Sequence, residues 1–390
     1  MQWKVRPEDF AVEEQIRMSL VPSGDFAIYR VRKRGVTTLG VQAQMARALG
    51  IPQSDVVFLA LKDKQAIAVQ HAAVRGTGPA QLAGNGFRAE FLGRSRRPLT
   101  PADVVANRFT LVLRDLSVRQ AAQIQERLIQ VSRFGLPNYF DQQRFGSLAA
   151  GEDHIGKRIL RRDAEGALRA YLSQPFAGDS SPVRQFKAFA AEHWGDWDAL
   201  FEAAPRPSNY RSVLTYLCDH PRPTETGYRK ALNLVTRRLL SLYLAAYQSL
   251  LWNRIAARCL ETRLGETGVP ARIEIAGERL PLSYELPDHF NRDAVIRLPN
   301  HRAVYSEPDL ADVVTQVLAE EGLALNDLKA RILNKAYLSK GTRALMLFPR
   351  DLSVSPSAPD ERFDGRCELT LAFTLPRGSY ATLVIRALSL

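Results

Sequence analysis

The chain has 390 residues, 46% hydrophobic and 24% charged, and its 53 Lys plus Arg outnumber 41 Asp plus Glu for a formal net charge of +12. That length exceeds what one hydrophobic core usually supports, so two domains are expected, and the basic balance favours a polyanion, nucleic acid first, over an acidic small molecule as partner. Cys218, Cys259 and Cys367 lie far apart with no CxxC pair, no stretch approaches the ~20 apolar residues of a membrane span, and the first thirty residues lack the apolar core of a signal peptide. The expectation is a cytoplasmic protein with reduced thiols and no structural zinc.

Phe10 to Glu14 and Phe26 to Val31 have strand composition around the turn-forming Pro22, Ser23 and Gly24, which predicts a hairpin. Thr38 precedes LGVQAQMARALG, an amphipathic helix with Leu39, Val41, Met45 and Leu49 near one face and Gly50 as terminator. Val56 to Leu61 is a short apolar run that predicts a buried strand, and it stops at Lys62, Asp63 and Lys64. Chemistry tends to sit where a rigid element hands over to a loop. An aspartate between cations is biased toward its ionised form, in which it can be a nucleophile or a base; taken alone, the same stretch reads as a charged solvent turn.

Val69 to Arg75 and Phe87 to Leu92 read as further strands, separated by GTGPAQLAGNG as a loop. Arg108 to Leu116 alternates as a strand, and Ser117 caps the helical VRQAAQIQERLIQVSRFG. Mixed strands and helices without a glycine-rich phosphate loop argue for an α+β sheet domain over a dinucleotide-binding fold. The pattern then turns helical, with broken helices around Pro205 to Pro223, a long amphipathic helix over Tyr228 to Leu264, and a few strands in Arg272 to Leu282 and Asp293 to Leu298. Strand texture returns in Arg343 to Pro349, Cys367 to Pro376 and Tyr380 to Leu388. The simplest organisation is a sheet domain made of residues 1–155 and 340–390, interrupted by a mostly helical α+β insertion, 156–339.

Two arginine clusters, RSRR (Arg94 to Arg97) and KRILRR (Lys157 to Arg162), could contact phosphates or form solvated basic faces. PNYFDQQRFG, Pro137 to Gly146, mixes aromatics, amides and an arginine: Phe140 could stack on a base, Asn138 read a base edge and Arg144 hold a phosphate. The bare pattern also fits a loop with buried aromatic anchors. Tyr380 follows a turn with Pro376, Gly378 and Ser379, so its ring faces a cleft or packs on the sheet. The six histidines, His71, His154, His193, His220, His289 and His301, fall in no ligand spacing, and no metal is expected.

Taken jointly, KVRPEDFAVEE, LKDKQAIAVQ, NYFDQQRFG, AYQSLLWNR (Ala246 to Arg254) and LPRGSYATLVIRAL resemble the TruD family of tRNA pseudouridine synthases in order and spacing along nearly the whole chain. The resemblance implies a pseudouridine-synthase catalytic domain, with a mixed, largely antiparallel sheet built from both chain ends, and the family's own insertion domain. It places the nucleophile on Asp63 and its ion-pairing lysine on Lys4. It places the NxF motif on Asn138 and Phe140, the ring stacking on the target uracil, and substrate-contacting aromatics on Phe10 and Tyr380. The sequence departs from the family pattern at Ala60, Ala68, Asp141 and Ala387, which bears on substrate preference and loop geometry.

The implied reaction isomerises a uridine in tRNA, U13 in the D-arm region, to pseudouridine. The N1–C1′ bond breaks, the uracil rotates and C5 joins C1′, with no cofactor required. The base must leave its stack, and Phe140 would replace the lost stacking. Whether Asp63 attacks ribose C1′ or uracil C6, or assists an elimination, stays open at this level, and a monomer is expected. One alternative is a non-catalytic RNA-binding protein with the same fold. Another is a carboxylate hydrolase, for which Glu8 and Asp9 are the only motif candidates for a second acid/base.

Overall fold

Ten strands of the computed structural model form one sheet: β1 (Phe10–Ile16), β2 (Phe26–Lys33), β3 (Val56–Phe58), β4 (Ile67–Arg75), β5 (Gln81–Gly84), β6 (Phe87–Ser95), β7 (Val104–Leu116), β8 (Arg350–Val354), β9 (Ala358–Pro359) and β10 (Cys367–Pro376). The structure describes residues 1–147, 154–176, 178–265, 271–288 and 290–390, so His289 lies outside the described residues. By internal contacts the chain divides into two units, Met1–Leu136 with Leu347–Leu390, and Pro137–Met346.

In the first unit the strand order is β8-β10-β7-β1-β4-β2-β6-β5, with β3 beside β4 and β9 beside β10. The β1–β4 pairing is parallel and the others are antiparallel. Residues from the two ends of the chain meet where β10 pairs with β7, from Cys367 opposite Leu116 to Pro376 opposite Ala106. Helix α1 (Thr38–Leu49) starts with the Thr37 hydroxyl accepting from the Gly40 N–H and stops at Gly50, whose φ of 66° suits a residue without Cβ. Its Val41, Met45 and Ala46 pack on Tyr29, Val31, Val56, Ala72, Val74, Phe87 and Ala89, one apolar core on that half of the sheet. Helix α2 (Val118–Phe134) carries a full capping box between Ser117 and Gln120.

Several expectations change. β1 and β2 form no hairpin, because β4 lies between them and pairs with both; β4 is buried along most of its length and needs a neighbour on each side. The strand before Asp63 is short: only Val56 to Phe58 is laddered to β4, and Leu61 is 59% exposed. Leu39 is 52% exposed, and Thr38 takes the inward position. GTGPAQLAGNG contains β5, which turns back into β6 through Asn85-Gly86, a dipeptide suited to a two-residue hairpin. Tyr380 to Leu388 is helical, α3 (Ala381–Ser389), not a strand: Ala381, Val384, Ile385 and Leu388 are buried at helical spacing, a period that the β-branched composition hid.

The second unit is mostly helical: Ile155–Leu160, Ala164–Ser173, Ser181–Glu192, Trp197–Ala203, Arg211–Asp219, Glu225–Leu234, Arg237–Leu264 and Pro308–Glu320. The helix expected over Tyr228 to Leu264 is two, because the backbone extends at Val235 and Thr236 (ψ 139° and 143°) while Val235 turns wholly inward. A hairpin pairs Ala271–Ile275 with Glu278–Leu282, and Val295–Arg297 pairs with Thr342–Ala344. Residues 137–155 and 340–346 group with this unit. The Asn138 N–H donates to the Leu345 carbonyl, and Phe140 is bound at its backbone by Asn253 of the long helix.

Candidate active site

Asp63 stands in the turn between β3 and β4, and several contacts from distant parts of the first unit fix that turn. The Lys62 N–H donates to the Thr38 hydroxyl (3.0 Å), the Thr38 hydroxyl to Gln70 Oε1 (3.0 Å), and Gln70 Nε2 to the Ala60 carbonyl (2.7 Å). The buried Lys33 ammonium donates to the Asp63 carbonyl at 2.6 Å and to the Val36 carbonyl at 3.0 Å. The Asp63 side chain then closes a local turn, accepting from the Gln65 N–H at 2.9 Å.

The other Asp63 oxygen meets Lys4 Nζ at 2.6 Å, with the two side chains 44% and 19% exposed. Lys4 reaches it from an arm whose Gln2 exchanges backbone hydrogen bonds with Arg114 of β7. Lys4 adopts φ 64°, a left-handed conformation uncommon for lysine. Its ammonium lies 4.3 Å from the Phe10 ring centroid, and Phe10 is buried edge-on against Phe109 at 6.1 Å. Between them, Pro7–Asp9 forms one tight turn in which Asp9 accepts from the Arg6 N–H. Asp9 is wholly buried against Arg114, which also binds Asp360, Glu361 and Glu368. Glu8 pairs with Arg34 at 2.6 Å.

The electrostatics follow from this geometry. Partial burial raises the pKa of Asp63, but the Lys4 hydrogen bond, the Gln65 N–H and the charges of Lys4 and Lys33 outweigh it and hold the carboxylate below its ordinary range. The cations acting on Asp63 are therefore Lys4 and Lys33, distant in sequence, rather than its neighbours. Lys62 points elsewhere, to Asn107 Oδ1 (2.6 Å) and the buried Glu14 (3.4 Å), and Lys64 is exposed.

Asn138, Phe140 and Arg144 lie together in the second unit. Arg343 binds this loop with a fork: Nε to the Asn138 carbonyl (2.6 Å), and one terminal nitrogen to Asn138 Oδ1 (2.9 Å) and the Tyr139 carbonyl (3.1 Å). The same guanidinium stands 4.1 Å from the Phe140 ring centroid, and the ring meets Trp252 perpendicularly at 5.6 Å. Tyr139 is buried, its hydroxyl donating to the Pro281 carbonyl. Arg144 donates to the Ser249 hydroxyl at 3.0 Å, and Asp141 is buried.

AYQSLLWNR acquires a physical meaning here. From one helix, Tyr247 donates to Glu321, Gln248 to the Pro299 and Ser339 carbonyls, Trp252 to the Ile296 carbonyl, and Asn253 brackets Phe140. Tyr380 stands at the start of α3, half-buried. Sequence reading missed Lys33 and Arg343; a lysine ending the inward alternation of Tyr29 and Val31 was the signal for the first, and nothing local marked the second.

Both arginine clusters have internal partners. Arg97 chelates Asp103 and Arg94 donates to the Gly24 and Gly76 carbonyls, while Lys157, Arg158, Arg161 and Arg162 reach Glu321, Asp163, the Glu321 carbonyl and Asp327. Among the departures, Ala68 and Ala387 are fully buried and Ala60 uses its carbonyl to hold Gln70. Among the described residues no group of three or more His, Cys, Asp or Glu is arranged to hold a metal ion, and no helix is long and apolar enough to cross a membrane.

The profile of the family "tRNA pseudouridine synthase D (TruD)" matches residues 1–388. Similar curated proteins include the probable tRNA pseudouridine synthase D 2 of Methanocaldococcus jannaschii, 28% identical over 99% of this chain and 91% of that protein. The tRNA pseudouridine synthase D of Aquifex aeolicus is 28% identical over 99% of this chain and 97% of its own. The crystal structure of the putative tRNA pseudouridine synthase D of Methanosarcina mazei shares the fold, with a TM-score of 0.74 at 22% identity, covering 100% of this chain and 93% of that one. With the profile spanning nearly every residue, the chain belongs to the tRNA pseudouridine synthase D family, isomerases that act on RNA.

Proposed function

We propose that this protein isomerises a uridine of tRNA, U13 in the D-arm region, to pseudouridine, with Asp63 as the nucleophile. The observation that carries this reading is the 2.6 Å Lys4–Asp63 pair on a turn anchored from four sides. A carboxylate held ionised and in one orientation is ready to attack an electron-poor carbon without a deprotonation step. Lys4 neutralises the charge that would otherwise repel an approaching phosphodiester, while one carboxylate oxygen stays directed by Gln65. Attack at ribose C1′ or uracil C6, or base-assisted elimination, all begin from this ionised state.

The target base leaves its stack before it can meet Asp63, and Phe140 is the ring proposed to receive it, with Asn138 and Arg144 in the same loop and Phe10 and Tyr380 as further aromatic contacts. The half-buried Phe140 ring, backed by Arg343 and Trp252, supports that role, since a stacking surface must already be rigid. Phe10 beneath Lys4 suits a floor for the pair. The residue 1–136 and 347–390 unit supplies the nucleophile, and the insertion carries RNA selection. The protein acts in the cytoplasm as a monomer, and the chemistry calls for no redox equivalent or group carrier.

The test is tritium release from tRNA labelled at uridine C5, in chelator, comparing the protein with Asp63→Ala. Release by the unmodified protein alone, with pseudouridine mapped to position 13, is the expected result. Comparable release by Asp63→Ala overturns the nucleophile, and release mapped elsewhere overturns the U13 assignment. Salt-sensitive tRNA binding without release by either protein favours the non-catalytic alternative.

A further inference from the structure

Lys33 is the last residue of β2, and its side chain is 1% exposed. Its ammonium donates to two backbone carbonyls, Asp63 at 2.6 Å and Val36 at 3.0 Å, and among the described residues no carboxylate comes within ion-pair distance of it. A buried ammonium without a counterion is costly, and a neutral side chain of similar length would fill the same space without that cost. The hydrogen bonds alone do not explain the charge, because an amide could make them. What a cation adds here is a field on the adjoining turn.

The groups facing this ammonium can be named element by element. The β3–β4 turn contributes Asp63 and Lys62; the N-terminal arm brings Lys4 onto Asp63; β1 brings Glu14 onto Lys62. Glu14 thus occupies the neighbouring lysine, which leaves the Asp63 carboxylate as the negative group balancing Lys33. We propose that Lys33 is a positioning residue for Asp63: it pins the Asp63 carbonyl so that the carboxylate keeps one orientation, and it is the second cation, beside Lys4, that favours the ionised form. Burial pushes the Lys33 pKa down and the Asp63 charge pushes it back up, the reciprocal of the effect of Lys33 on Asp63. This inference rests on Asp63 being the nucleophile.

The experiment uses Lys33→Met, which removes donor and charge, and Lys33→Gln, which keeps a donor. In the steady state on tRNA, kcat should fall about 100-fold in the first and about 10-fold in the second, the size of a misdirected or partly protonated group. KM should stay within about twofold in both, and the acid limb of the pH profile should move up. A purely structural lysine would lower the yield of folded protein without moving that limb. A second measurement avoids substituting Lys33: in Lys4→Met, the Asp63 carboxylate observed by carbon NMR should still titrate below the ordinary aspartate value. Lys33 variants with kcat and acid limb unchanged, or an Asp63 that titrates normally once Lys4 is gone, overturns the proposal. Turnover by Asp63→Ala instead overturns the reading beneath it, so the two failures are distinguishable.

Discussion

Replacing Arg114 with methionine tests how the N-terminal arm is held. The guanidinium is fully buried and binds Asp9 (2.9 Å) and Asp360 (3.0 Å), both carboxylates equally buried, and also the more exposed Glu368 and Glu361. Methionine fills much of the volume but leaves buried Asp360 without its cation and buried Asp9 with the partly exposed Arg6 alone, a defect that typically costs about 3–5 kcal/mol. With a urea m-value of about 2 kcal/mol/M, the transition of this unit should shift down by about 2 M. The pH dependence sharpens the test. Burial raises the pKa of Asp9 and Asp360, but hydrogen bonds and the Arg114 charge hold both below the ordinary value. In the unmodified protein their contribution is complete above the unfolded pKa and is lost as pH falls through the depressed folded values. Without Arg114 the raising effect of burial on both carboxylates is opposed by Arg6 and backbone N–H groups alone, so their folded values move up and the deficit narrows as the pH falls toward about 4. Urea unfolding by far-UV circular dichroism at pH 7 and pH 4.5 reads both effects. A midpoint lowered by less than about 0.5 M, or a deficit that widens on acidification, refutes the reasoning.

Other perturbations reach different parts of the molecule. Lys4→Met removes the first cation on a depressed carboxylate, so the acid limb of kcat/KM should move to higher pH and kcat fall about 10–100-fold, in a pH–rate profile on tRNA. Arg343→Lys cannot reproduce a fork across Asn138 and Tyr139 with a face on Phe140; kcat/KM should fall at least 10-fold with circular dichroism unchanged. Phe140→Ala should weaken both tRNA affinity and turnover, by roughly 1–3 kcal/mol in binding if the ring stacks on a base. Burial raises the Glu321 pKa, but Tyr247, Lys157 and Arg254 hold it at about 2, so the insertion keeps this contribution above the unfolded value near 4.5 and loses it toward pH 2. Glu321→Gln should flatten the acid limb of its stability.

The readable parts of the sequence were those whose information is local. β4, β6 and β10 followed from strand composition, β7 from alternation and α2 from its Ser117 cap. Asp63 was legible because an apolar run ends beside it, and Lys4 only through the family pattern. Pairing was not legible: that β4 separates β1 from β2 depends on which strand has two buried faces, and the turn between Phe10–Glu14 and Phe26–Val31 looked sufficient for a hairpin. α3 was obscured because Val384 and Ile385 favour strands while their spacing favours a helix. The arginine clusters stayed ambiguous for a related reason, since adjacency in sequence cannot reveal that Arg97 faces Asp103 or that Arg161 and Lys157 converge on Glu321. Lys33 was hidden because a lysine in a strand reads as solvent-facing unless the register is known.

The ladder between β7 and β10 joins segments made at very different times during synthesis. At roughly 5–20 residues per second, β7 waits tens of seconds for the strand that will cover its edge, while the whole insertion emerges and has time to fold first. A growing polypeptide therefore carries an open sheet edge lined by Leu111 and Leu113, the kind of template that recruits other nascent chains. Expression yield should accordingly depend on translation speed and holdase chaperones more than on the equilibrium stability of the finished enzyme.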